Sequence, residues 1–187
     1  MTLYKNIVIG CWIVMILYWF LAAWSAKRTV ERQSWGSRLI LVLVAIGAVE
    51  LAMLQTILRR VPPLLPRTPL VAWVGVAVCF AGLAFTLWAR RTLGRNWSGW
   101  VTFKEDHELV RRGPYAFVRH PIYTGVLAMF LGTAIVWNNA QTFLGFVVVF
   151  LVLWIKSRQE EAMMLKHFPD QYPQYKARVK GLIPFIF

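Results

Sequence analysis

The sequence predicts an all-α, polytopic integral membrane protein with five transmembrane helices, the last two of which form a helical hairpin. Hydrophobic residues make up 58% of the 187 positions, and charged residues only 16%. The apolar residues lie in long blocks rather than at the spacing of one helix face, which is typical of membrane spans. The formal net charge is +13, and most of the basic residues lie between the apolar blocks.

Five apolar blocks carry this prediction, at residues 7–24, 39–58, 70–89, 122–137 and 142–155. The first three are long enough for a helix to cross the hydrocarbon. The last two are shorter, and Asn138 and Asn139 predict a turn between them. We expect the fifth helix to continue into water as far as His167, because Pro169 stops it. A proline-rich stretch at residues 61–69 predicts a short, stiff link before the third span.

The chain divides into two unequal halves. We expect residues 1–89 to form a scaffold of three spans, and residues 90–187, with the third loop, two spans and the tail, to form a catalytic region. Glu50 is an ionisable group inside a predicted span, so either a structural or a functional role is open. Cys11 and Cys79 are isolated within spans, which favours small apolar fillers over a disulfide or a metal site. The first apolar stretch lacks a signal-peptide cleavage site and is expected to remain as a span.

The basic residues predict the orientation. All of them except Lys5, Arg59, Arg60 and Arg67 fall on one side when the first loop, the third loop and the tail share that side. The positive-inside rule then places these segments in the cytoplasm and the N-terminus outside. Attraction to anionic headgroups explains the positive charge, so no nucleic-acid partner is expected. The oligomeric state stays open, although small residues in the third span allow close helix approach.

Residues 109–125 hold the densest group of polar and aromatic residues, directly before the fourth apolar block. Pro121 suits the first position of a helix, which puts His120 at its N-cap. The free amides and the dipole of such a helix start attract an anion. Gly113 allows a turn that brings the backbone before it beside the helix start. An interfacial anchor with an aromatic belt is the alternative interpretation.

The order and intervals of several motifs resemble the isoprenylcysteine carboxyl methyltransferase family and the wider group of membrane methyltransferases that includes phospholipid methyltransferases. The resemblance covers about residues 93–187. Its elements are Leu93-Gly94-Arg95-Asn96-Trp97, Leu109-Val110 before Gly113-x-Tyr115, Arg119-His120-Pro121-x-Tyr123-x-Gly125, Glu160-Glu161, Phe168, Tyr172, Tyr175 and Leu182-Ile183-Pro184-Phe185.

This resemblance implies methyl transfer that depends on S-adenosylmethionine, with the donor entering from the cytoplasm and a lipophilic acceptor arriving from the bilayer. No metal is implied. The residues expected to bind the donor are Leu109, Val110, Gly113, Tyr115, His120, Pro121, Tyr123, Glu161, Leu182 and Pro184. The expected catalytic residues are Arg119, Arg158 and Glu160, and the expected acceptor contacts are Asn96 and Trp97.

The charges of the donor suit these residues. A sulfonium and an ammonium need an acidic partner, which Glu160 or Glu161 supplies, and the carboxylate needs Arg119 or the helix start. Which glutamate does so stays open, and so does simple pairing of both with lysines of their own helix. Arg158 is expected to steer an acceptor carboxylate, or else to be an interfacial cation.

The favoured acceptor is the carboxylate of a prenylcysteine-like compound, because its attack on a sulfonium neutralises two charges and a dry site favours that step. A phospholipid or another lipid amine is the alternative, and would need a base such as His120. A reductase that uses NADPH shares the Arg-His-x-x-Tyr pattern but needs more spans. A small transporter or assembly factor without enzymatic activity is the alternative of another class.

Overall fold

The computed structural model describes residues 1–23, 29–32, 62–94, 102–104 and 109–183. The described helices are α1 (Thr2–Ala23), α2 (Pro69–Leu93), α3 (Pro121–Trp137), α4 (Ala140–His167) and α5 (Gln171–Arg178). A 3-10 turn at Gly113–Ala116 precedes α3. Two short strands, β1 (Thr29–Arg32) and β2 (Thr102–Lys104), pair in antiparallel fashion. The helical class is as predicted, but no pattern in the sequence predicted this ribbon.

Several predictions fall outside the described residues. They include the second apolar block at 39–58 with Glu50, the two expected acceptor contacts Asn96 and Trp97, and Pro184 in the tail.

Three helices of the described chain are long and apolar enough to cross a membrane, at Thr2–Ala22, Pro69–Leu93 and Ala140–His167. They correspond to the first, third and fifth predicted spans. Helix α3 is apolar but has only 17 residues. Helix α4 has 28 residues, which at about 1.5 Å each exceed a hydrocarbon core of about 30 Å. Its polar last turns therefore extend beyond the apolar zone, as predicted, while the count of five spans stays a prediction.

Helices α1, α2 and α3 share an apolar core. Its fully or nearly fully buried members are Val8 and Cys11 of α1, Val76, Cys79 and Leu83 of α2, and Met129 and Val136 of α3. Both cysteines are free thiols in this core, which confirms their predicted role as small apolar fillers. Trp12 of α1 donates its indole N–H to the hydroxyl of Thr133 on α3 at 3.0 Å, which fixes α1 against α3.

Glycines let the backbones of α2 and α3 touch. A Cβ on Gly82 would lie 2.5 Å from the carbonyl oxygen of Gly125, and one on Gly132 would lie 2.5 Å from that of Gly75. Because real side chains do not fit at such distances, only glycine allows this approach. The glycines pair in reverse order along the two helices, so the helices are antiparallel. The small residues of the third span thus serve packing within the chain.

The two ends of the bundle are tied in different ways. At one end, Asn138 adopts the left-handed conformation with φ 48°. Its side chain accepts from Leu65 N at 3.0 Å and donates to Leu65 O at 2.7 Å. At the other end, the buried guanidinium of Arg90 donates to Gly94 O and Ala22 O at 2.7 Å, which ties the ends of α1 and α2 together. We call this second end the motif end, because α3 begins there.

The proline-rich link is one residue shorter than predicted. Pro69 is the first residue of α2, and the hydroxyl of Thr68 caps the helix by accepting from Val71 N at 3.3 Å. Pro69 joins the helix because its missing N–H costs nothing in the first turn.

Candidate active site

The start of α3 is built as the sequence predicts. His120 is the N-cap residue and Pro121 the first helical residue. Among the described residues, no side chain caps this first turn. The partial positive charge of the helix start therefore remains available to an anion. Just before it, Gly113 has φ 60°, a conformation that favours glycine, and opens the 3-10 turn.

His120, Tyr123 and Glu160 form one polar group at this helix start. The phenol of Tyr123 donates to Glu160 Oε1. His120 Nδ1 lies 3.4 Å from Glu160 Oε2, and the side chain of Glu160 is 24% exposed. The rings of His120 and Tyr123 are parallel within 5°, with centroids 5.5 Å apart. We call these three residues the triad group.

Glu161 belongs to a different group. Its Oε1 accepts from Arg119 Nε at 3.0 Å and from Nη2 at 2.6 Å. Its Oε2 lies 2.8 Å from Lys176 Nζ in α5. The side chains of Arg119 and Glu161 are only 9% and 4% exposed. We call Arg119, Glu161 and Lys176 the latch. The interpretation of both glutamates as a solvated face paired with lysines of α4 does not describe Glu161, whose lysine partner lies in α5.

The residues after α5 run alongside the segment that leads into α3. Val118 and Lys180 form a parallel β-bridge. Arg119 N donates to Lys180 O at 2.8 Å, and His120 N donates to Gly181 O at 3.1 Å. Thr124 Oγ1 then donates to the carbonyl of buried Leu182 at 2.6 Å. Residues 171–182, here called the strap, are therefore joined to the helix start through the main chain.

Two further contacts hold the strap. Arg119 Nη1 donates to the carbonyls of Lys176 and Val179. The phenol of Tyr175 donates to Tyr115 O at 2.6 Å. Burial raises the pKa of Tyr175, so the phenol stays protonated and keeps this donor. Arg119 thus joins Glu161 of α4 to the strap, and its guanidinium is used within the protein.

The charge of His120 depends on its two glutamate neighbours. Burial opposes its charged form, but its contacts with the carboxylates of Glu160 and Glu161 and their negative charges outweigh burial and raise the pKa of His120. Its Nε2 lies 3.5 Å from Glu161 Oε1. Within the described part of the chain this buried nitrogen has no hydrogen-bond partner. The imidazole can therefore donate one more hydrogen bond.

Four other predicted site residues lie outside the triad group and the latch. Tyr115 is buried in the 3-10 turn, and burial followed by the charge of Glu160 raises the pKa of its phenol. Leu109 and Val110 are half-buried in the irregular segment before that turn. Arg158 is 53% exposed, with its Nη1 3.8 Å from Glu161 Oε2 and its guanidinium 5.8 Å from the Trp154 ring.

Two residues of the site, Lys176 and Thr124, were not predicted from the sequence. Lys176 is one of several cations in the tail, and nothing in its spacing distinguishes it from Arg178 or Lys180. Thr124 lies inside the motif that begins at Arg119, and a hydroxyl one helical turn into α3 was the available signal.

The family model described as "Phospholipid methyltransferase" matches residues 70–171, from the start of α2 to the start of α5. The protein-S-isoprenylcysteine O-methyltransferase of Schizosaccharomyces pombe is 39% identical over 99 residues, which cover 50% of this chain and 41% of that protein. The probable enzyme of the same name from Oryza sativa subsp. japonica is 27% identical over 176 residues, covering 90% and 88%.

A solved structure shares the fold. The eukaryotic intramembrane Ras methyltransferase, an isoprenylcysteine carboxyl methyltransferase, aligns with a TM-score of 0.54 and 27% sequence identity. The alignment covers 84% of this chain and 55% of that one. The matched segments of the S. pombe relative and of its Tribolium castaneum counterpart are 41% of those proteins, so the chain matches less than half of their length.

These matches define the class of protein, a helical membrane protein of the methyltransferase type. The chain belongs to the phospholipid methyltransferase family. The resemblance to isoprenylcysteine carboxyl methyltransferases that the motifs predicted is confirmed.

Proposed function

We propose that this protein transfers a methyl group from S-adenosylmethionine to the carboxylate of a lipophilic, prenylcysteine-like acceptor at the cytoplasmic face of a membrane. The observation that carries the proposal is the triad group, in which His120, Tyr123 and Glu160 meet at the start of α3. This polar group adjoins the ends of long apolar helices, so a charged ligand and a lipophilic one can both reach it. The names of the relatives support the acceptor class.

The described residues fit the proposed donor. The carboxylate of Glu160 is partly exposed and suits a cationic group. No side chain in the described part of the chain caps the start of α3, which suits a carboxylate. The buried Nε2 of His120 lacks a hydrogen-bond partner among the described residues and can donate to the same ligand. When bound, S-adenosylmethionine supplies an electrophilic methyl group on a sulfonium.

The chain's own residues then have separate tasks. Tyr123 donates to Glu160 and fixes the carboxylate that faces the ligand. The latch holds the strap against the helix start, which limits the access of water to the triad group. Exclusion of water favours a reaction in which unlike charges neutralise each other. A carboxylate acceptor needs no general base, so this site acts by alignment of the reacting atoms.

The orientation belongs to the same proposal. Arg90 and Arg91 lie in the last turn of α2, and the latch adds Arg119 and Lys176 at the same end. Basic residues at one end of a helical bundle support a cytoplasmic motif end, with the N-terminus of α1 outside.

A binding and a transfer measurement test the proposal together. Calorimetry on the purified protein in detergent should show saturable binding of S-adenosylhomocysteine and none of NADPH. Methyl-labelled donor should then label N-acetyl-S-farnesyl-L-cysteine in the presence of the protein. Absence of S-adenosylhomocysteine binding would favour a transporter or assembly factor, and NADPH binding would favour a reductase.

Transfer to a lipid amine is the second candidate, because the matching family description names phospholipids. An amine acceptor must lose a proton before attack, and His120 is placed to accept one when it is neutral. Labelling of phosphatidylethanolamine vesicles in preference to the prenylcysteine would support this candidate. We favour the carboxylate because the relatives are named isoprenylcysteine O-methyltransferases. The raised pKa of His120 also disfavours the neutral imidazole that would accept the proton.

A further inference from the structure

Lys156 is the first charged residue along α4. Residues 140–155 contain no Asp, Glu, Lys or Arg, so the charged part of the helix begins at this lysine. Its side chain turns towards the triad group, because Nζ lies 5.5 Å from the ring centroid of Tyr123. An ammonium over an aromatic face is attracted by the ring, which helps to hold it in place.

Lys156 lies one helical turn before Glu160. Four residues correspond to about 6 Å along the axis, so the lysine is nearer to the apolar part of α4 than the glutamate is. The two side chains share a helix face and attract each other electrostatically. The carboxylate of Glu160 therefore lies on the outer side of the triad group, and the ammonium of Lys156 lies on its membrane side.

Arg158, the residue that the sequence favoured for steering an acceptor, is placed differently. Its side chain is 53% exposed and approaches Glu161 rather than Glu160. Its guanidinium lies by Trp154, whereas the ammonium of Lys156 lies by Tyr123. A ligand beside the triad group thus meets Lys156 before it meets Arg158.

We propose that Lys156 binds the anionic head of the lipophilic acceptor and selects acceptors with a carboxylate over those with an amine. An acceptor whose tail lies in the bilayer presents its head where the helices first become polar, and on α4 that level is Lys156. The ammonium attracts a carboxylate there and repels a protonated amine. This inference rests on the proposed function, and it names Lys156 as the residue that decides which class of acceptor the protein methylates.

Binding measurements test the role of Lys156 without requiring turnover. The purified full chain is titrated with N-acetyl-S-farnesyl-L-cysteine and with its uncharged carboxamide, and the ratio of the two Kd values is compared between variants. The parent should prefer the carboxylate by about tenfold, the effect of one charged contact of about 1.4 kcal/mol. Lys156→Met should lose this preference and Lys156→Arg should keep it. Lys166→Met removes an exposed lysine of the same helix and should match the parent.

The acceptor KM gives a second readout. Lys156→Met should raise the KM for the prenylcysteine about tenfold and leave that for S-adenosylmethionine unchanged. A Lys156→Met protein that keeps the carboxylate preference would overturn the inference, as would loss of that preference in Arg158→Met alone. A parent that prefers the carboxylate in binding but transfers no methyl group would overturn the proposed function while still supporting Lys156.

Discussion

Substitution of Glu161 by glutamine is expected to release the strap. Glu161 is the central residue of the latch, and its side chain and that of Arg119 are almost fully buried. Removing one partner of a buried ion pair leaves the other charge uncompensated, which costs about 3–5 kcal/mol. The contact with Lys176 adds little, because that side chain is 37% exposed and such pairs contribute about 0–1 kcal/mol.

The structure therefore predicts two very different effects. Glu161→Gln should destabilise the attached strap by about 3 kcal/mol, which raises the population of detached strap by about 100-fold. Lys176→Met should change the population of detached strap by no more than about fivefold, because the loss of an exposed ion pair costs less than about 1 kcal/mol. Tryptic cleavage at Arg178 and Lys180 in detergent measures this population, since both bonds lie in the strap.

Glu160→Gln is the matched control for the strap measurement. It is the same chemical change one residue earlier, on a carboxylate that contacts His120 and Tyr123 rather than Arg119. Its strap should be cleaved at the rate of the parent. Equal cleavage rates for Glu161→Gln and the parent would refute the assignment of Glu161 to the latch, and so would faster cleavage in Glu160→Gln.

Three other predictions concern the triad group and the helix packing. Glu160→Gln and Tyr123→Phe should each weaken S-adenosylhomocysteine binding about tenfold or more by calorimetry, since each removes a charge-assisted hydrogen bond of about 1.5–3 kcal/mol; parent-like affinity in both would contradict the site. Because the pKa of His120 is raised, its ion pair stabilises the fold fully below about pH 6.5 and is lost as the pH rises through the raised value. The difference in Tm between the parent and His120→Gln should accordingly shrink with increasing pH, and a constant difference would count against the pairing. Gly132→Val should destabilise the protein by about 1–3 kcal/mol, because its Cβ would lie 2.5 Å from Cys79 N, whereas Gly10→Val, with open space around it, should leave Tm unchanged.

Much of the fold is predictable because its signals are local. Block length and apolar composition gave the positions of α1, α2 and α4 within a few residues. Pro121 gave the start of α3, and Asn138 with Asn139 gave the break before α4. The ribbon was not predicted, because strands of four and three residues far apart in the chain leave no periodic pattern.

The site was predictable as a set of residues but not as a set of contacts. The resemblance to the methyltransferase family implied that Arg119, His120, Tyr123 and both glutamates belong to one site, and the structure brings their side chains together. It also gives the two glutamates different partners, Tyr123 for Glu160 and Arg119 for Glu161, a distinction that adjacent identical residues do not reveal. Arg119 lies 42 positions before Glu161, and no local rule predicts a contact across that distance in sequence.

The way in which the strap is attached has a consequence for biosynthesis. Its pairing with the start of α3 uses peptide groups of Lys180 and Gly181, which are made some sixty residues after their partners. During translation the earlier helices can enter the bilayer and pack before these later residues have emerged. A chain truncated before Lys176 should therefore insert but lack the contacts that join the strap to the start of α3.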